Sequence, residues 1–126
     1  MGPEKSASNS KALGNRGEAL AEAYLKDKGF RVLSRNYRTK IGEIDLILSR
    51  ENLLVFVEVK SRKSTNYGKG FEAVNLKKQQ TLRRVAEQYL AYEKQRLKPN
   101  MSMRFDVVDV FVHGEQAKFH HIENAF

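Results

Sequence analysis

The chain has 126 residues, enough for one domain around a single core. With about 40 % apolar and 30 % charged residues it reads as a folded globular protein, not a disordered one, and the absence of cysteine excludes a disulfide framework or a thiolate metal site. A net charge of +8, from 23 Lys and Arg against 15 Asp and Glu with a pI near 9.8, favours polyanionic partners, because each phosphate neutralised releases counterions.

The opening residues 1–11 lack the apolar core of a signal peptide and read as a flexible lead-in to a single domain over residues 12–126. No apolar run approaches the roughly 18 residues of a membrane span, and a cytoplasmic location is the expectation. A first helix follows, with Leu13, Gly17, Leu20, Ala21 and Tyr24 at near-helical spacing, Ser10 as its cap and Gly29 as its stop. Gly17 reads as a point of close packing between helix and sheet.

Strands are predicted from Phe30, over about 42–49 and over about 53–61. The polar, glycine-bearing stretch RKSTNYGKGFEAVN reads as a loop. A second helix over about 76–97 carries a buried stripe of Leu82, Val85, Ala86, Tyr89 and Leu90, and Pro99 with Asn100 terminates it. A further strand follows in MRFDVVDVFVHG, with Val108, Val110 and Val112 on one face and Phe105, Val107, Asp109 and Phe111 on the other. AKFHHIENAF reads as a short edge strand. This order of helix, three strands, helix and strands implies an α/β fold, a mixed sheet flanked by helices.

Four of the 15 acids fall at positions 43, 45, 51 and 58, in and around one predicted hairpin. Alternation puts Glu58 and Lys60 on one face of the third strand and Val55, Val57 and Val59 on the other. It puts Glu43, Asp45 and Ile47 on one face of the second strand, opposite Ile44, Leu46 and Leu48. A two-residue turn at Glu51 and Asn52 pairs Arg50 with Leu53, and the ladder then sets Asp45 across from Glu58. A three-residue loop without a bulge would separate them.

Facing carboxylates destabilise a bare hairpin, and a divalent cation would compensate them. Mg²⁺ or Mn²⁺ suits one or two carboxylates together with waters and phosphate oxygens. Such an ion supplies Lewis acidity and an activated water to phosphodiester hydrolysis, and Lys60, pointing the same way, can orient that water or stabilise developing charge. Asp45, a spacer and then Glu58, Val59, Lys60 is the pattern of the PD-(D/E)xK nucleases. Solvated charge on an exposed hairpin face is the bland alternative.

The blocks NRGEALAEAYLKDKGFRVLSRNYRTKIGEIDLI, LVFVEVKSR, KKQQTLRRVAEQYL and RFDVV resemble the YraN-like family of small bacterial proteins across roughly residues 13–112. That family is predicted to be endonuclease-like, similar in fold to archaeal Holliday-junction resolvases. The resemblance implies a restriction-endonuclease-like core with a Mg²⁺ site at Asp45, Glu58 and Lys60. By position, Glu18 matches the acidic residue that resolvase-like members bring towards the metal.

The sequence thus points to a metal-dependent nuclease acting on DNA, branched or otherwise structured DNA included. Asp45 and Glu58 hold the metal with Glu18 assisting, Lys60 positions water, and the Val59 carbonyl completes the shell. Arg62, Lys63, Lys69, Lys77, Lys78, Arg83 and Arg84 grip phosphates, and Tyr37, Tyr67 and Phe71 are candidates for base stacking. Glu43 is expected to lie behind the metal ligands or to pair with Arg38 or Arg62. Arg104 and Asp106 read as a structural pair, and His113, His120 and His121 as surface residues. A homodimer would suit symmetric cutting of two strands. The rivals are a nucleic-acid-binding module without catalysis and an interaction protein that docks an acidic partner.

Overall fold

The computed structural model describes residues 2–63 and 74–126, with side chains described from Lys11 onward. The elements in chain order are α1 (Gly2–Asp27), β1 (Arg31–Arg38), β2 (Glu43–Arg50), β3 (Leu53–Lys63), α2 (Leu76–Glu93), β4 (Ser102–His113) and β5 (Gln116–Ile122). The α1 helix extends upstream of Ser10, so that residue does not mark its start. Among the described residues no helix is long and apolar enough to cross a membrane.

The five strands form one mixed sheet in sequential order, antiparallel throughout except for the parallel pair β3–β4 that α2 connects. Two apolar layers sandwich the sheet. On one face α1 places Ala21 and Leu25 against Leu46, Leu48, Val55, Val57, Val108, Val110 and Val112. On the other, Leu82, Val85, Ala86 and Tyr89 of α2 cover Ile44, Ile47, Leu54, Phe56, Phe105 and Val107. The parity expected for β3 and β4 holds, because strictly alternating side chains of a paired strand have no other way to fill both layers.

Two glycines set how closely the helices approach. A Cβ on Gly17 would overlap the Ser61 side chain, so α1 crosses β3 where a side chain is excluded. A Cβ on Gly42 would lie 2.7 Å from Thr81 Cγ2, which brings the start of β2 under α2. The α2 helix opens at Asn75, whose side chain accepts from Lys78 N at 2.8 Å. It ends at Glu93, four residues short of expectation, where Arg96 N and Leu97 N turn back onto the Glu93 carbonyl.

Candidate active site

The β2–β3 turn has the expected two residues, with Glu51 at φ 55, and Arg50 pairs with Leu53. The ladder runs back through Leu48↔Val55 to Leu46↔Val57, and this register carries Asp45 to the position across from Glu58. There the backbone pairing gives way to the side chain: Asp45 Oδ2 accepts from Val59 N at 2.8 Å. The strands part at this point. One alternation rule fails as a result, since Ile44 packs with Ile47 beneath α2 instead of with Leu46 on the α1 face. Asp45 marks the turn, its carboxylate filling the gap that opens between β2 and β3.

Three elements deliver acids to this gap. Glu18 arrives on α1, Asp45 on β2 and Glu58 on β3. The Glu18 carboxyl is held above its ordinary value, first by burial and then by the charge of Asp45, to which it also hydrogen-bonds, with Glu43 adding to the push. Burial also raises Asp45, with Glu43 in support, against the opposing pull of the Val59 amide. Glu58 is pushed up to about 7 by burial and by Asp45, against the pull of Lys78 and Lys60. Its Oε2 lies 3.8 Å from Lys78 Nζ. The site is therefore a knot of carboxyls with more negative charge than its two lysines neutralise.

Its donors are all hard oxygens, the set that Mg²⁺ or Mn²⁺ takes, and the raised protonation is what a cation would relieve. Among the described residues no group of three or more His, Cys, Asp or Glu side chains stands disposed to hold a metal ion. The fit is thus to the facing pair Asp45 and Glu58, with Glu18 joined to Asp45 by a shared hydrogen bond. Of Val59, the contact in hand is its amide donating to Asp45.

A cleft of about 620 Å³ opens beside the knot on the α1 face, lined among others by Lys11, Asn15, Glu18, Asn36, Arg38 and Val59. A neighbouring hollow of about 410 Å³ shares Asn15, Glu18 and Asn36 with it and reaches Asp45. Glu43 pairs with Arg38 Nη2 at 3.2 Å, one of the two partners expected for it. Sequence reasoning passed over Asn36, which stands at this cleft with φ 50 in the middle of β1. A polar residue between Arg35 and Tyr37 carries no signal of that conformation.

The basic residues divide. Lys63, Lys77, Lys78 and Arg84 are exposed. Arg62 turns inward, its Nε 3.3 Å from Oδ1 of the buried Asp109, while Arg83 is exposed and lies over the rings of Phe105 and Phe126. Lys69, Tyr67 and Phe71 fall outside the described residues. Tyr37 packs edge-on against Tyr89 with centroids 5.1 Å apart, a core contact and not a stacking platform.

The expected Arg104–Asp106 pair forms, with Nε 2.9 Å from Oδ1 and Nη2 3.1 Å from Oδ2. His121 is not a surface residue: its side chain is 5 % exposed, with Nε2 2.8 Å from Asp106 Oδ2 and Nδ1 3.4 Å from the Tyr24 hydroxyl. Its partners lie on β4 and α1, which local sequence does not reveal. His113 and His120 are exposed as expected.

This acid knot on a helix-flanked mixed sheet lies wholly within the segment that matches the family described as Uncharacterised protein family UPF0102, residues 17–110. The chain belongs to the UPF0102 family. It is 48 % identical over 117 residues to a UPF0102 protein of Alkaliphilus metalliredigens, covering 93 % of this chain and 99 % of the relative. It is 43 % identical over 121 residues to one from Caldanaerobacter subterraneus, covering 94 % and 97 %. A Bifidobacterium longum UPF0102 protein is 44 % identical over 117 residues, covering 92 % and 94 %. The UPF0102 match covers α1 from residue 17 onward, all of α2 and the first four strands except the end of β4, so it takes in every acid of the knot.

Proposed function

We propose that this UPF0102 protein is a divalent-metal-dependent nuclease of the PD-(D/E)xK kind, built on a restriction-endonuclease-like core and acting on DNA. One observation carries the reading: Glu18 from a helix and Glu58 from a strand each reach Asp45 at the point where β2 and β3 part, and all three carboxyls are pushed towards protonation there. A merely structural cluster would be bonded to its own cations. This one is compensated only in part, by Lys60 and Lys78, in a chain whose net charge is +8.

Asp45 and Glu58 would hold Mg²⁺ or Mn²⁺, with Glu18 behind Asp45. Bound there, the ion supplies Lewis acidity towards a phosphate oxygen and lowers the pKa of a water. Lys60, on the same face of β3 as Glu58 and close enough to lower its pKa, orients the attacking water and stabilises charge gathering on the phosphate. Lys78 faces Glu58 from α2 and keeps its carboxylate turned into the site. The exposed Lys63, Lys77 and Arg84 bind the flanking phosphates, an attraction that weakens steeply with salt.

The test is a cleavage screen in Mn²⁺ or Mg²⁺ over single-stranded, duplex, flapped and four-way DNA and RNA. Calorimetric titration of the metal into wild type, Asp45→Ala and Glu58→Ala accompanies it. Expected are cleavage by wild type, none by a folded Lys60→Ala, and metal binding that both carboxylate variants lose. Nucleic-acid binding without metal uptake or cleavage would instead identify a binding module on the same fold. Cleavage undiminished in Lys60→Ala would place the chemistry elsewhere.

A further inference from the structure

The β1–β2 ladder pairs Arg35 with Leu46 and Tyr37 with Ile44, so Asn36 stands beside Asp45 on the strand opposite to Glu58. The row Asn36, Asp45, Glu58 therefore crosses three neighbouring strands. In the amide orientation that satisfies its hydrogen bonds, Asn36 Nδ2 donates to Glu18 Oε1 and to Glu43 Oε1, each at 3.1 Å. One neutral side chain thereby ties a carboxylate of α1 to one of β2, beside Asp45.

The backbone supports a role beyond packing. Asn36 sits at φ 50 inside a strand, in a region that side-chain-bearing residues visit at a cost, Asn less than most. Such conformations persist where their surroundings impose them and gather at functional sites. Returning Asn36 to extended geometry would swing the amide away from the acids. Two donors with no charge of their own hold like-charged groups together without neutralising them. A lysine in that place would draw off the charge that a metal needs.

We infer that Asn36 is a positioning residue. Its two-way amide clamps Glu18 and Glu43 together beside Asp45, so that the carboxylates are gathered before a cation arrives. The metal side of this inference rests on the proposed function; the clamp itself does not. Groups that orient metal-binding side chains typically contribute ten- to a hundredfold to affinity.

The decisive variant is Asn36→Gly, which keeps the left-handed backbone accessible and removes only the amide. Its thermal midpoint should stay within about 2 °C of wild type, while Mn²⁺ affinity in calorimetry falls about tenfold or more. A residue needed only for folding would lower the midpoint and the affinity together. Mn²⁺ affinity equal to that of wild type in Asn36→Gly overturns the positioning role. If wild type itself takes up no Mn²⁺, the metal reading fails, and the clamp is decided by NMR of the ¹⁵N-labelled Asn36 side chain. A clamped amide is protected from exchange and shifts in both Glu18→Ala and Glu43→Ala; an amide indifferent to both variants overturns the clamp.

Discussion

Two acidic centres of the sheet behave in opposite ways. Asp106 is fully buried, yet its carboxyl is held below the ordinary carboxylate range. Burial alone would raise it, but His121, both arms of Arg104 and the Asn124 amide all bond to it. Asp45, Glu18 and Glu58 are less deeply buried and better placed to reach water, and all three are pushed up. The difference lies in the partners and not in depth. A centre whose lone pairs are filled by protein donors keeps its charge, and one whose acids face each other is pushed towards protonation.

The contrast breaks most visibly at Asp106. Asp106→Ala strands the Arg104 guanidinium and His121, and unfolding by heat or urea should show a loss of about 3–5 kcal/mol. Glu58→Gln should do the reverse, leaving the metal-free protein as stable as wild type or about 1 kcal/mol more so by the same measurement, because it removes repulsion.

The two centres also respond to pH with opposite sign. Glu58 binds its proton more tightly folded than unfolded, so metal-free stability is greatest below its ordinary value of 4.5 and declines as pH rises towards about 7. Asp106 binds its proton less tightly folded, so its contribution is present above its ordinary 3.8 and is lost as pH falls below that. Thermal midpoints between pH 5 and 8 should therefore fall in wild type and fall less in Glu58→Gln. A slope identical in the two proteins would remove Glu58 from the account.

Smaller effects sharpen the contrast. Lys78→Ala removes the cation nearest Glu58, and NMR titration of the carboxyl should show a proton retained to still higher pH. Arg38→Ala breaks only an exposed pair with Glu43, and the same unfolding measurement should register less than about 0.5 kcal/mol.

Much of the site is legible in the order of residues alone. Asp45 and Glu58 share a hairpin whose two-residue turn sets the register, and Glu58 and Lys60 share a face because they are two residues apart on one strand. The mixed sheet with a helix between β3 and β4 follows from the order of periodic segments. Strict alternation misplaces Ile44, since it assumes that the ladder continues past Asp45, where β2 instead bends under α2. His121 escapes such reasoning because Tyr24 and Asp106 meet it only through folding, and Asn36 because a backbone torsion leaves no mark on composition.

The sequence by itself determined which acids face one another across the hairpin and, Ile44 apart, which strand side chains build the two apolar layers, since strand period and turn length act over a few residues. Only the tertiary structure decided that Glu18 would join Asp45, that Lys78 would face Glu58, and that Asp106 would be neutralised while the knot was not. Those outcomes depend on burial and on charges brought together from distant parts of the chain, and Coulomb interactions follow distance in space, not distance in sequence.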